Sequence, residues 1–142
     1  MSLGNTFEND LAKLIFQATA IANIADNAGT SPLTNLYLSL HTADPGEAGD
    51  QTTSEAAYTS YARVAVARSS SGWDISAAVV TLHANCDFPA ATGGSETETY
   101  MGIGTASSAA GKLLMSGAIS PSIAVSTGTI PRLTIATSIT FD

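Results

Sequence analysis

Two histidines and a single cysteine are the side chains best equipped for chemistry in this chain of 142 residues. His83-x-x-Cys86, with Asp87 alongside and His41 elsewhere, offers imidazole, thiolate and carboxylate, all zinc ligands. A structural zinc site takes four ligands in close pairs, so one cysteine is too few; Cys86 reads as a buried thiol and His83 as a strand-end histidine. As a nucleophile and base, His83 and Cys86 would have to face each other, which their spacing on an irregular strand end does not enforce. Asp44, Glu47, Asp50 and Glu55 offer the oxygens that Ca²⁺ takes, but their spacing departs from an EF-hand, and a solvated acidic loop is the stronger reading.

Other signatures are thinner. Neither G-x-S-x-G nor H-E-x-x-H occurs, and Gly102-Ile103-Gly104 lacks the third glycine and following helix of a dinucleotide site. Those glycines read instead as a strand thinned where another backbone or a bulky side chain approaches. Glycoside hydrolysis takes two carboxyl groups, and Asp87 beside Phe88 is the one acid in an apolar context. Trp73, Tyr58, Tyr61 and Tyr100 have the makings of a sugar-stacking platform, although aromatics at strand starts more often fill a core. The expectation is a protein that is not an enzyme, with no metal and no cofactor.

The elements that would position these residues follow from periodicity. Asn5 and Glu8 mark a helix start, and Phe7, Leu11, Leu14, Ile15, Ala18 and Ala22 recur at three- and four-residue spacing, predicting an amphipathic helix over about 6–23. Leu36, Leu38 and Leu40 alternate with Tyr37, Ser39 and His41 in a half-buried strand, followed by an exposed acidic loop from Asp44 to Glu55. Further strands are expected over 61–68, from Trp73, and over 78–83, 97–104, 112–118 and 122–126. A final period-two strand runs through Leu133, Ile135, Thr137, Ile139 and Phe141. The economical architecture is one domain, 1–142: an N-terminal helix and an antiparallel, jelly-roll-like β-sandwich over about 36–142.

Composition narrows the partners. Charged residues make up 12% of the chain, about half the usual share, and the net charge is −7. That balance disfavours direct binding to nucleic acid or an anionic membrane. No stretch is long and apolar enough for a spanning helix. Met1 to Asn5 lacks the basic and apolar regions of a secretory signal, so synthesis in a reducing cytoplasm is expected.

The segments Leu36-Tyr37-Leu38-Ser39-Leu40-His41-Thr42-Ala43-Asp44-Pro45-Gly46-Glu47 and Tyr61-Ala62-Arg63-Val64-Ala65-Val66 resemble a family of small virion proteins of tailed bacteriophages. The likeness extends to the N-terminal helix, Phe88-Pro89, the Ile103-Gly104 strand and Gly117-Ala118 before a Pro-containing hairpin. Members of that family carry labels from tail fibre to minor tail to structural protein. The resemblance implies a virion part made in the host cytoplasm. The leading expectation is a capsid decoration or cement protein on the outer shell, bound to the major capsid protein as a dimer or trimer. The alternative is a tail or tail-fibre appendage that joins tail proteins and contacts host surface glycans. Docking is expected through Phe7, Leu11 and Leu14 of the helix, through Ile139 and Phe141 of the last strand, or through Asp44, Glu47 and Asp50 of the acidic loop.

Overall fold

The computed structural model describes residues 5–20 and 33–140, with side chains from residue 9 onward in the first stretch. Among the described residues one helix, α1 (Asn5–Gln17), precedes nine strands: β1 (Asn35–His41), β2 (Val64–Ala67), β3 (Trp73–Ser76), β4 (Val79–Leu82), β5 (Cys86–Asp87), β6 (Glu96–Gly104), β7 (Leu113–Val125), β8 (Arg132–Leu133) and β9 (Ser138–Thr140). The chain is mainly β, with antiparallel sheets and one helix near its N-terminus, as its patterning predicts. Its residues gather into two compact units, each drawn from separate stretches: one from 1–35, 67–86 and 133–142, the other from 36–66 and 87–132.

The first unit holds α1 and the sheet β3-β4-β9. The helix ends at Gln17 rather than near Asn23, because Ala18 turns left-handed at φ 53°. Its last turn contains no basic residue, and Arg68 supplies the missing charge by donating to the carbonyls of Ile15 (2.5 Å) and Leu14 (2.6 Å). These are carbonyls a helix end leaves without partners. The buried face is also rotated from the expected one. Ala12 and Phe16 are fully buried, whereas Leu11, Leu14 and Ile15 are half-buried. Phe16 sets this rotation by packing edge-on against Trp73, ring centroids 4.6 Å apart. Ala22, Phe141 and the side chain of Phe7 lie outside the described residues.

The closing segment is not one continuous strand. A turn over 134–137, closed by Thr137 N–H donating to Thr134 O (2.9 Å), separates β8 from β9. Polar groups stabilise the break: Thr134 Oγ1 accepts from Ala136 N–H, and Asn85 Oδ1 accepts from Ile135 N–H. Ile135 is consequently exposed, while Ile139 pairs with Val80 of β4.

The second unit is built on the sheet β2-β1-β6-β7. Leu36, Leu38 and Leu40 are buried as expected, but Ser39 and His41 on the opposite face of β1 are fully buried too, so this strand is not half-exposed. β7 is a single 13-residue strand where two shorter ones were expected. Tyr100 pairs with Ala118 and Glu98 with Ile123, so Thr99 alone opposes the four residues from Ile119 to Ser122. Pro121 falls inside this bulge rather than in a hairpin, consistent with proline's exclusion from regular ladders.

Candidate functional site

The acidic segment after β1 is not simply a solvated loop, because polar side chains beneath it hold it to the sheet. His41 Nδ1 donates to Thr53 O (2.9 Å), and Nε2 lies 2.8 Å from Ser39 Oγ. With Nδ1 protonated, the neutral ring accepts from the Ser39 hydroxyl. Burial keeps the imidazole pKa below its ordinary value. Ser39 and His41 thus have the contact of a nucleophile and its base, but at 0% exposure no substrate reaches them, and they act as a polar staple.

Gln51 is fully buried as well. Its side-chain oxygen accepts from Ala106 N–H (2.9 Å), and its backbone N–H donates to Gly111 O (3.1 Å). A Cβ on Gly104 would stand 2.1 Å from the Gln51 side chain, and one on Gly102 would meet Ser39 Oγ at 2.6 Å and His41 Nε2 at 2.7 Å. The glycines of Gly102-Ile103-Gly104 therefore thin β6 so that these polar side chains can lie against it, as expected of a strand approached by bulky groups.

The far end of the loop is tied by ions. Arg63 grips Glu55 through Nε (2.6 Å) and Nη2 (2.8 Å) and donates to the carbonyls of Ala106 and Ala109. Hydrogen bonding to Glu55 raises the guanidinium pKa. Tyr61 hydroxyl donates to Glu55 and accepts from Leu40 N–H. Glu96 accepts from the N–H groups of Ala57 (2.8 Å) and Tyr58 (2.7 Å). Two residues along the same strand, Glu98 is fully buried, and neither of its oxygens has a hydrogen-bond partner among the described residues. Burial, followed by the charge of Glu96, pushes its carboxyl up to about 8. The same two acids, after burial, push Tyr58 up to about 12.

Secured in this way, the loop walls a groove of about 430 Å³ against the start of β7. Asp44 and Glu47 line it with Tyr100 and with Leu113 to Ser116. Asp44 shapes the loop by accepting from Gly46 N–H (2.9 Å). The other two acids expected beside them turn elsewhere. Asp50 accepts from the N–H and hydroxyl of Thr52, which lowers its pKa, and Glu55 belongs to Arg63. Among the described residues no group of three or more His, Cys, Asp or Glu is placed to hold a metal ion.

The remaining sequence candidates do not converge. His83 meets Asp74 at 3.0 Å on the surface, Cys86 is buried, and Asp87 pairs with Arg132, which lowers the Asp87 pKa. Of the aromatics, Trp73 and Tyr58 are core and Tyr61 is committed to Glu55; Tyr100 alone lines the groove. Gln51 and Arg63, which hold the loop, and the buried Glu98 are residues that periodicity does not reveal. The glycines at 102, 104 and 111 are the signal that something presses there, without naming what.

The described residues thus form a mainly antiparallel β chain whose polar interior braces a surface groove. Comparison with known families sharpens this. The chain matches, over residues 2–141, the family described as Podophage GP4 fiber I protein gp80, and it belongs to that family of phage virion structural proteins. The search of curated proteins finds no match.

Proposed function

We propose that this chain is a non-enzymatic component of a phage fibre, joined to tail proteins, whose groove contacts sugars of the host surface. The observation that carries the reading is the match to a fibre-protein family along nearly the whole chain. The groove's chemistry is compatible with it. Asp44 and Glu47 present carboxylates that accept hydrogen bonds from sugar hydroxyls, and Tyr100 offers an aromatic wall for a sugar face. Decoration of the capsid is the second reading, favoured by the lack of heptad periodicity that a coiled-coil shaft would show.

Quantitative mass spectrometry of purified virions tests the choice. A copy number far below that of the major capsid protein is expected for a fibre. Near-equality or a simple fraction of the capsid protein would overturn the fibre reading in favour of the shell, where icosahedral symmetry supplies the equivalent sites.

A further inference from the structure

We propose that β7 is a self-pairing edge through which two copies of this chain join as an antiparallel pair centred on Ser116. This goes beyond the fibre reading, because it concerns a contact between copies wherever the protein sits in the virion.

β7 is the last strand of its sheet, so alternate N–H and C=O groups along its outer side face away from β6. Among the described residues no hydrogen bond from elsewhere in the chain reaches those groups. An open edge of this kind is a template for another strand, and proteins blunt one with lysines, prolines or bulges. β7 has its Pro121 and its larger bulge beyond Ala118, and the stretch from Met115 to Ala118 runs in unbroken register with β6. No residue from Leu113 to Val125 is charged, in a chain of net charge −7. Two copies can therefore bring this strand together without opposing like charges.

The side chains favour a second copy as the occupant. A two-fold axis at Ser116 sets each Ser116 opposite its counterpart and each Met115 opposite the partner's Gly117. Nothing lies within 4 Å of where a Cβ on Gly117 would stand, which leaves space for an incoming methionine. Across the β6 ladder, Gly117 pairs with Met101 and Met115 with Ile103, so the pairing would extend an apolar row. Large meets small in both directions, the self-complementarity an isologous contact needs.

Sedimentation velocity on the full chain tests the proposal. The wild type is expected at the mass of two copies. Ser116→Lys, which places two ammonium groups opposite each other at an exposed position, is expected to sediment as a monomer with unchanged circular dichroism. An equimolar mixture of Ser116→Lys and Ser116→Glu should regain the two-copy mass. Gly117→Leu, whose Cβ meets nothing within 4 Å in its own chain and whose side chain fills the space for the partner's Met115, should also dissociate the pair. A wild type that stays monomeric at its highest soluble concentration overturns the proposal. So does a mass of three copies, or a dimer indifferent to both substitutions.

Discussion

The two units solve the same problem, closing a core in a chain poor in charge, by different means. In the unit that holds α1, the buried side chains among the described residues are Ala12, Phe16, Trp73, Ala78, Val80, Leu82, Leu133 and the Cys86 thiol, with no charged or amide group. The unit that holds the groove buries leucines as well, and to these it adds Ser39, His41, Gln51 and Glu98. Apolar packing is non-directional and tolerates a range of loop shapes. Buried hydrogen bonds fix particular atoms at particular distances, at the cost of a large penalty if one partner is lost. The unit with the directional interior is the one whose loop walls the groove.

The sharpest test of this contrast removes the apolar anchor. Phe16→Ala deletes a fully buried ring in edge contact with Trp73, and a loss of about 3–5 kcal/mol is expected in chemical denaturation. Amide hydrogen exchange should show protection falling first in β3 and β4. An equal loss of protection in β1 and β6 would break the comparison, since it would mean one cooperative core rather than two differently built ones.

The matching test in the second unit is Arg63→Met. It leaves the Glu55 carboxylate, 16% exposed, with Tyr61 as its remaining side-chain partner and releases the carbonyls of Ala106 and Ala109. A destabilisation of about 3 kcal/mol is expected, because an uncompensated buried charge costs more than the pair contributes. The double variant Glu55→Met, Arg63→Met should recover part of it. If the single and double variants lose the same amount, the carbonyl contacts rather than the ion pair hold the loop.

The contrast also explains what could be read in advance. Leu36, Leu38 and Leu40 announce β1 by alternation, because a half-apolar strand leaves a period-two trace. The acidic loop is visible by composition, yet Gln51 at its centre is fully buried, and nothing in a polar run marks which polar side chain turns inward. The helix is legible in kind but not in phase, since Ala12 and Phe16 form the buried pair while Leu11 and Leu14 supply the stronger apolar signal. The alternation from Leu133 to Phe141 conceals a turn, because the groups that stabilise it include Asn85, far away in sequence. Of the groove, Asp44 and Glu47 were readable as acids and Tyr100 as an aromatic. Their meeting depends on the register between β6 and β7, which local pattern does not encode.

Acidity provides a subtler way to separate the units. Burial pushes the folded Glu98 carboxyl up to about 8, against 4.5 for a solvated glutamate, so between those values the native state holds a proton that the unfolded chain has lost. Stability therefore falls as pH rises through that window, with a slope of up to about 1.4 kcal/mol per pH unit. Glu98→Gln keeps the shape and removes the titration. It should flatten the dependence and leave the variant more stable than the wild type at pH 8 in denaturant titrations. His41 works in the opposite sense. Its lowered pKa means that stability falls as pH drops below 6.5, and that acid limb should survive in Glu98→Gln. A wild type with no slope between pH 6.5 and 8, where His41 is largely neutral folded and unfolded, would show that Glu98 is as well solvated folded as unfolded.

The smallest expected effect belongs to the first unit and runs in the stabilising direction. β3 and β4 are joined through Ala77 and Ala78, both left-handed, at φ 49° and 62°. Two-residue hairpins of this hand favour Asn-Gly or Gly-Gly, and an alanine held there costs roughly 1–2 kcal/mol. Ala78 is buried, and its N–H donates to Asn9 Oδ1 of α1 (2.6 Å), so the turn also serves to seat the helix. Ala77 is exposed and free of such duties. Ala77→Gly relieves the backbone strain but adds freedom to the unfolded chain, worth about 0.4–1 kcal/mol in the other direction. A net gain of about 0.5 kcal/mol is expected, read as a small rise in denaturation midpoint. Ala77→Val, which puts a β-branched side chain into the same left-handed position, should lower the midpoint instead. If both substitutions left it unchanged, the turn would not be under strain, and α1 rather than the hairpin would be what sets the register of β3 on β4.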